Sequence, residues 1–360
     1  MRLECTKKLL DYLDVKPEKA AEPVEPVFQW SADLIVVKRR KTMVVTHAAS
    51  RSMFVIHGLT AKVRAKLPEL IMEGIRILLR SEYVRPEIIE RYLDDCGREV
   101  EVRANSSRKA ITACVRACER VKLFSELLEP GDLFQRDILQ ELNEDIVPKE
   151  QYRCVHGLLI DCLQKHYGED IQSCRALELE VELKLHTPCK RRIIMPEDLN
   201  FYQLHRILQA AFDWRDYHLH HFLVPGKPAR ILRPDIWEDE GNGEDSTHVT
   251  VGEVFGEHRT VRYEYDFGDC WEHIIRLKRV IDDCTEPYPH CIQAVGNAPM
   301  EDCGGPEGYE RIMEILQNPE HPEYAETYEW VEDSIWKPLE VERINRRMGM
   351  NWRRRVPQYF

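Results

Sequence analysis

Residues Ala176–Leu185 read ALELEVELKL, and this stretch decides the fold of the C-terminal half. Leucines and Val181 alternate with charged residues throughout it. Side chains on a β-strand point to opposite faces in turn, so this alternation puts the apolar groups on one face and the charges on the other. The stretch therefore predicts a half-buried strand.

The residues that follow predict further strands and helices. A charged turn, CKRR (Cys189–Arg192), should lead into a strand at Ile193–Met195. Asn200 should cap a helix over Phe201–Phe212, which carries an apolar stripe at helical spacing. We also predict a helix over Gly308–Leu316 and strands at His218–Val224, Val249–Val251, Val261–Asp266 and His273–Val280.

The N-terminal half also mixes helical and strand patterns. Residues 1–14 predict a short amphipathic helix, and a Pro/Glu-rich linker follows at Lys16–Pro26. Pro68 and Pro86 each suit the first turn of a helix. The remaining predictions are a helix over Ser106–Leu128 and strands at Ala32–Val37, Thr42–Thr46, Met53–His57 and Glu99–Arg103.

Length and composition indicate a soluble protein with two domains. The chain has 360 residues, 43% of them hydrophobic, and no apolar run approaches the roughly 18–20 residues of a membrane helix. Charges interrupt the apolar positions of the N-terminus, unlike a signal peptide. We expect a cytoplasmic protein with no membrane partner, whose twelve cysteines stay reduced. The net charge of −12 argues against a broad nucleic-acid-binding surface.

We therefore predict the α+β class, with two domains that are each a mostly antiparallel sheet packed with helices. The predicted boundaries are an N-terminal domain at 1–145, a helical connector at 146–175, a second domain at 176–348 and a basic tail at 349–360.

Residues Tyr263–Glu310 combine aromatic residues, carboxylates, histidines and cysteines, which is typical of a functional site. Within them, YDFGD (Tyr265–Asp269) contains the DFG letters of protein kinases, but the chain has neither their glycine-rich loop nor their HRD loop. The favoured interpretation is a turn in which Gly268 supplies the unusual backbone angle. Asp266 and Asp269 would then bind free main-chain amides.

Histidines in two segments are candidate metal ligands. His218 and His220 share one face of a predicted strand, and Trp271 and His273 share one face of another. Imidazoles at this spacing can chelate a transition metal such as zinc. The alternative, which is the commoner one, is that these rings only pack against aromatic neighbours.

Cysteines near the glycine-rich turn form a looser cluster. Cys284, His290, Cys291 and Cys303 lack the paired CxxC spacing of zinc ribbons. Cys291 and Cys303 would meet as zinc ligands if the intervening loop folds back. Two buried thiols are the favoured interpretation.

The C-terminus is rich in arginine and contains Trp352. Arg353, Arg354 and Arg355 are candidate phosphate contacts for a nucleic acid, whose bases would stack on the indole. The favoured alternative is a solvated tail, or a partner for the acidic body of the protein.

The C-terminal half contains eight short motifs in this order: RRI (191–193), LHRILQAAFDW (204–214), HLHHF (218–222), YDFGDCWEHIIRL (265–277), YPHC (288–291), EDCGGPEGYE (301–310), NPEHPE (318–323) and INRRM (344–348). Through these motifs it resembles the plasmid pRiA4b ORF-3-like family over about residues 176–348. This resemblance implies an α+β domain and an association with mobile elements, but no established activity. The N-terminal part, through CTKKLLDYL (Cys5–Leu13), Trp30 and the turn at Arg39–Lys41, is similar to a second uncharacterised bacterial family.

Three functional hypotheses follow. Because no GxSxG, Walker or HExxH motif occurs, we favour a non-catalytic binding or accessory protein with a protein or nucleic-acid partner. Its ligand site would contain His220, Asp266, Asp269, Trp271 and His273. The second is a metal-dependent hydrolase or nuclease, with His218, His220 and His273 as ligands and Asp266 or Asp269 as ligand or general base. The third is nucleic-acid binding through the arginine-rich tail.

Overall fold

The structure is a computed structural model that describes residues 1–16, 24–105, 108–144, 146–147, 153–226, 230–234, 243–334, 337–353 and 355. The chain divides into two compact units, Met1–Ser173 and Cys174–Phe360. Both combine helices with a sheet, which confirms the α+β class. None of the helices in the described ranges has the length and apolarity that a membrane span requires.

The first unit contains seven strands and seven α-helices within the described residues. The strands are β1 (Arg2–Cys5), β2 (Gln29–Val37), β3 (Arg40–His47), β4 (Met53–His57), β5 (Glu101–Ala104), β6 (Ile146–Val147) and β7 (Arg153–Cys154). The helices are α1 (Lys7–Leu13), α2 (Ala61–Arg64), α3 (Leu67–Ser81), α4 (Pro86–Asp95), α5 (Arg108–Leu123), α6 (Arg136–Leu142) and α7 (Val155–Tyr167).

The sheet of the first unit has the order β4-β3-β2-β1-β5. β2, β3 and β4 pair antiparallel, whereas β1 lies parallel to both of its neighbours. The prediction of a helix over residues 1–14 is therefore wrong for its first part. Leu3 and Cys5 of the inner strand β1 are fully buried. Only the residues from Lys7 onward are helical. Strand pairing with β2 and β5 outweighs the local helical pattern.

The segment predicted as a connector belongs to the first unit in the structure. β6 and β7 pair as a short antiparallel ribbon, and α7 follows directly. Leu159 and Leu163 of α7 are buried in the main core of this unit. Ser106, the predicted start of the helix that precedes this segment, lies outside the described residues.

The second unit contains eight strands and five helices within the described residues. The strands are β8 (Cys174–Leu183), β9 (Cys189–Pro196), β10 (His220–Val224), β11 (Arg230–Arg233), β12 (Gly243–Asp245), β13 (Thr260–Tyr265), β14 (Trp271–Cys284) and β15 (His290–Val295). The helices are α8 (Phe201–Ala211), α9 (Val251–Glu257), α10 (Gly305–Leu316), α11 (Tyr324–Asp333) and α12 (Val341–Asn351).

The alternating stretch forms β8, which lies inside a sheet of order β12-β11-β10-β13-β14-β8-β9-β15. Its apolar side chains are buried, as predicted. On the other face, Glu180 and Glu182 pair with Arg276 of β14, and Glu182 also pairs with Lys190 of β9. The unit therefore has one apolar sheet face and one face covered by cross-strand ion pairs, which offset the cost of placing many charges side by side.

Two local predictions in this unit are wrong. CKRR does not turn but forms the first half of β9, because the Arg191 side chain points inward and is only 2% exposed. Val249–Val251 is not a strand. Thr250 instead caps α9, where its hydroxyl accepts a hydrogen bond from the Glu253 amide and the Glu253 carboxylate accepts one from the Thr250 amide. This reciprocal capping box outweighs the short β-branched run.

The basic C-terminal segment is largely helical and packed. α12 contacts α8 and β15, with Ile344, Met348 and Trp352 buried. The Gln203 amide of α8 donates to the main-chain oxygen of Trp352 at 2.9 Å. The predicted tail therefore begins in the structure as part of the folded unit, because its apolar residues recur at helical spacing.

Asn345 of α12 binds the last strand of the sheet. Its side-chain oxygen accepts from the Cys291 amide at 2.6 Å, and its side-chain nitrogen donates to the Cys291 carbonyl at 3.1 Å. Both main-chain groups of Cys291 are thus occupied on the side of β15 that faces away from β9.

Candidate functional site

A polar network lies between α8 and the apolar face of the sheet. Gln209 donates to the Tyr263 hydroxyl at 3.1 Å, and this hydroxyl lies 2.8 Å from Nδ1 of His205. Nε2 of His205 lies 2.7 Å from the Asp216 carboxylate. If Tyr263 donates to Nδ1 and Nε2–H donates to Asp216, both ring nitrogens of His205 are satisfied.

His220 of β10 completes this network without a hydrogen bond of its own at Nε2. Its ring stacks on His205, with centroids 3.4 Å apart and planes within 5°. Nε2 is buried and has no hydrogen-bond partner. Burial lowers the pKa of His220 well below its usual value, and the neighbouring His205 lowers it further, so the ring is neutral near pH 7. His205, Asp216 and His220 each place one potential ligand atom within 4.8 Å of the others.

The Asp216 carboxylate stays charged in this setting. Burial alone would raise its pKa, but His205 and Arg206 together hold the pKa of Asp216 below its ordinary value. The network therefore combines two stacked imidazoles with one carboxylate.

A second cluster lies where β10 begins. His218 Nδ1 is 3.6 Å from an Asp266 oxygen, and His218 Nε2 is 3.1 Å from an Asp302 oxygen. Asp266 follows β13, whereas Asp302 belongs to the EDCGG turn before α10. These three residues also bring one potential ligand atom each within 4.8 Å of the others.

The two turns that supply these aspartates are packed directly together. Gly305 has φ +71°, and a Cβ atom there would lie 2.6 Å from the main-chain oxygen of Asp269. No side chain fits at that distance, and the positive φ also disfavours every residue except glycine. The contact therefore requires glycine for both reasons. The EDCGG turn is thereby held against YDFGD, which brings Asp302 to His218.

The YDFGD turn follows the structural interpretation in part. One Asp266 oxygen accepts from the amides of Gly268 and Asp269, at 2.9 and 3.3 Å. The unusual backbone angles, however, belong to Asp266 (φ 58°) and Cys270 (φ 55°) and not to Gly268. An aspartate tolerates this left-handed conformation because its side chain can bind the local main chain.

A cleft of about 400 Å³ adjoins the second cluster through Asp302. Several of its polar groups have fixed partners. The Tyr265 hydroxyl donates to one Glu301 oxygen at 2.6 Å, and the Arg215 amide donates to the other at 3.0 Å. The cleft is lined by Phe212, Asp213, Trp214, Arg215, Tyr217, Ala298, Pro299, Met300, Glu301, Asp302, Trp330, Asp333, Ser334, Lys337 and Arg347.

The opposite wall of the cleft is also fixed. Arg347 of α12 pairs with Asp213 and donates to the Trp214 carbonyl at 2.6 Å. Arg343 pairs with the second Asp213 oxygen at 3.2 Å. The arginines of α12 thus hold the loop that follows α8 in place.

The histidines predicted as one metal site are separated in the structure. His218 and His220 belong to the two different clusters, and His273 belongs to neither. His273 is fully buried, with its ring against Phe212 and Trp214. Burial lowers the pKa of His273 to about 3, so this ring is a neutral part of the core.

The other predicted ligand-site residues lie around these clusters. Trp271 is fully buried beside Trp214, and Asp269 lies in the turn against Gly305. Neither Cys291 nor Cys303 belongs to a group of three possible metal ligands among the described residues. Burial raises the pKa of both thiols, that of Cys303 to about 12. Cys291 is buried, whereas Cys303 is only half-buried.

Of the three predicted nucleic-acid contacts, the structure describes Arg353 and Arg355. Arg353 is buried, with its guanidinium over the ring of Trp352. The Arg355 carbonyl accepts from the Asn200 side chain at 2.9 Å, and Arg354 lies outside the described residues.

Sequence reasoning missed His205, Asp216, Tyr263, Glu301 and Asp302. His205 offered a signal, because it lies on the inward side of the predicted helix beside Leu204 and Leu208. A buried polar ring at such a position needs partners, which here come from the loop after the helix and from the sheet.

The fold and its clusters define an α+β protein whose second unit covers a histidine-containing sheet face with one helix. Residues 175–345 match the plasmid pRiA4b ORF-3-like protein family, and residues 2–156 match a domain of unknown function, DUF6933. The chain belongs to the pRiA4b ORF-3-like family through its second unit.

Two known proteins are similar to parts of this chain. The uncharacterized protein y4hQ of Sinorhizobium fredii (strain NBRC 101917 / NGR234) is 36% identical over 143 residues, which are 39% of this chain and 72% of that protein. The crystal structure of MM3350, a protein of unknown function from Methanosarcina mazei Go1, shares 32% identity with a TM-score of 0.42. That comparison covers 47% of this chain and 96% of the other.

Proposed function

We propose that the second unit is a binding module for a small polar ligand, and that the cleft beside Asp302 is its site. The observation that carries this proposal is the fixed arrangement of the charged walls. Glu301 is held by Tyr265 and the Arg215 amide, and Arg347 is held by Asp213. Groups that already have fixed positions lose little conformational freedom when a ligand binds.

The open side of the cleft supports this proposal. Tyr217 and Trp330 line it and remain 67% and 40% exposed. Large aromatic side chains left in water beside a cavity are typical of surfaces that bind a planar or apolar group. The lining also contains both carboxylates and cations, which suits a ligand with polar groups of both signs.

A metal-dependent hydrolase is the second candidate, favoured by the cluster at the cleft edge. His218, Asp266 and Asp302 would supply one nitrogen and two oxygen ligands, and they would leave positions open for water. This candidate requires turnover of an ester or phosphodiester that ends when Asp302 is changed to asparagine. Turnover that persists in Asp302→Asn would contradict it.

Nucleic-acid binding through the arginines after Met348 has weaker support. Of its three candidate residues, Arg353 is buried and the Arg355 main chain binds Asn200. Salt-dependent binding that vanishes on removal of residues 353–355 would be needed to support it.

The binding proposal predicts where small molecules bind. In a protein-observed NMR screen of a fragment library, the shifted resonances should concentrate on residues that line the cleft. Trp330→Ala should weaken the cleft-bound fragments about tenfold, since a lost aromatic contact of roughly 1.4 kcal/mol has that effect.

Tyr328→Ala is the matched control. It removes an aromatic ring of similar exposure, 48%, from the same helix without touching the cleft. Its fragment affinities should equal those of the unmodified protein. Fragments that bind mainly elsewhere, or affinities that fall equally in both variants, would contradict the proposal.

A further inference from the structure

The apolar face of the eight-stranded sheet in the second unit carries a buried histidine nitrogen that has no hydrogen-bond partner. Nε2 of His220 has no hydrogen-bond partner, and the residue is only 7% exposed. A buried polar atom without a partner costs roughly 1–3 kcal/mol. The two nearest groups that could share a ligand with it are His205 and Asp216.

We propose that His205, Asp216 and His220 form a binding site for a divalent transition metal of the zinc type. Two imidazoles and one carboxylate are a common protein ligand set for zinc, and the remaining position is then available to water. This site is separate from the cleft, and the proposal does not depend on the function proposed there.

The surroundings of His205 suit a metal ligand. In zinc sites the second nitrogen of a ligating histidine usually carries a hydrogen-bonded proton, which fixes the ring. Nδ1 of His205 is 2.8 Å from the Tyr263 hydroxyl, which Gln209 also contacts. With metal on Nε2, the neutral ring takes the other tautomer, and Nδ1–H donates to the oxygen of Tyr263.

Metal binding requires one ring to move. The two imidazoles lie parallel at 3.4 Å, so their in-plane lone pairs do not point at one common position. His205 is held at both nitrogens, whereas Nε2 of His220 is free of hydrogen bonds. His220 is therefore the ring that would turn to bind the ion.

An ion can reach the site from the side of Asp216. The side chain of this residue is 27% exposed, whereas that of His205 is fully buried. Its carboxylate is charged, as described above, and offers the first contact for an incoming cation.

The test is Zn²⁺ binding to the full chain by competition with a chromogenic chelator, with Co²⁺ absorption as a second readout. We expect one equivalent of Zn²⁺, and a visible Co²⁺ spectrum typical of low coordination number. His220→Gln and Asp216→Asn should each weaken Zn²⁺ binding by at least about 100-fold, because each removes a ligand. Asp216 lies in a loop, and its replacement by asparagine nearly preserves the shape of the side chain. The Asp216→Asn variant therefore still tests the site if His220→Gln fails to fold.

Two matched controls decide between sites. His273→Gln changes another buried histidine on the same sheet face whose Nε2 has no hydrogen-bond partner, and Asp302→Asn removes a possible ligand from the second cluster. Both should leave Zn²⁺ affinity unchanged. The proposal is overturned if the unmodified protein binds no Zn²⁺, or if binding survives in both ligand variants. It is also overturned if binding is lost in Asp302→Asn or His273→Gln but kept in the ligand variants.

Discussion

Replacing Arg191 by lysine should destabilise the second unit by about 3–5 kcal/mol. Arg191 is 2% exposed, and its guanidinium lies over the ring of Phe212. Its donors reach the main-chain oxygens of Lys190, Ala211, Val295 and Gly296 at 2.8 to 3.1 Å. A lysine carries its three donors on one nitrogen and cannot span these acceptors, so buried carbonyls and a buried charge would lose their partners.

The adjacent residue provides the control. Arg192 lies on the opposite face of β9, where its side chain is 39% exposed and pairs with Glu178. Arg192→Lys keeps that charge and should cost less than about 1 kcal/mol. Hydrogen–deuterium exchange across a urea series, read on peptides from β9 and β15, measures both effects. Equal losses in the two variants would contradict the role assigned to Arg191.

The first unit should lose about 3 kcal/mol of stability between pH 6.5 and pH 4 through His47 alone. This ring is fully buried, with Nε2 on the Val27 carbonyl and Nδ1 on the Ser50 hydroxyl. Burial lowers the pKa of His47 from 6.5 to about 4. In that interval the unfolded chain binds a proton that the folded chain does not, so the free energy of unfolding falls as the pH falls.

The histidine contribution is isolated by comparison with His47→Gln. Carboxylates also titrate below pH 5, but they contribute equally to both proteins. Amide exchange of peptides from β2 and β3, measured at several pH values, should show a steeper acid loss in the unmodified protein. Parallel pH profiles for the two proteins would show that His47 carries no such penalty.

The sequence predicted the regular elements where the apolar period was long. The alternation in β8 and the Asn200 cap of α8 both have their expected places. The predictions for short segments were wrong because tertiary contacts outweigh a weak local preference for helix, strand or turn. Arg2–Cys5 is a strand only because β2 and β5 lie beside it, and Arg191 is buried only because carbonyls from distant segments surround it.

The sequence predicted which segments contribute to the candidate site, but not which of their residues lie together. The sequence pointed to HLHH, YDFGD and EDCGG, and the structure brings His218, Asp266 and Asp302 together from them. The sequence could not show that His218 and His220 belong to different clusters, because their positions depend on where β10 begins. His205 was missed because one of its partners, Tyr263, lies on a strand 58 residues away in sequence.

The two hydrogen bonds between the Asn345 side chain and Cys291 affect how copies of this chain can associate. An outermost strand with unpaired amides is a template for strand addition by a neighbouring molecule, and natural proteins often block it. Here the amide and carbonyl of Cys291 are already taken by a helix of the same unit. Because β15 is the last strand of its sheet, loss of these two hydrogen bonds would favour self-association through it.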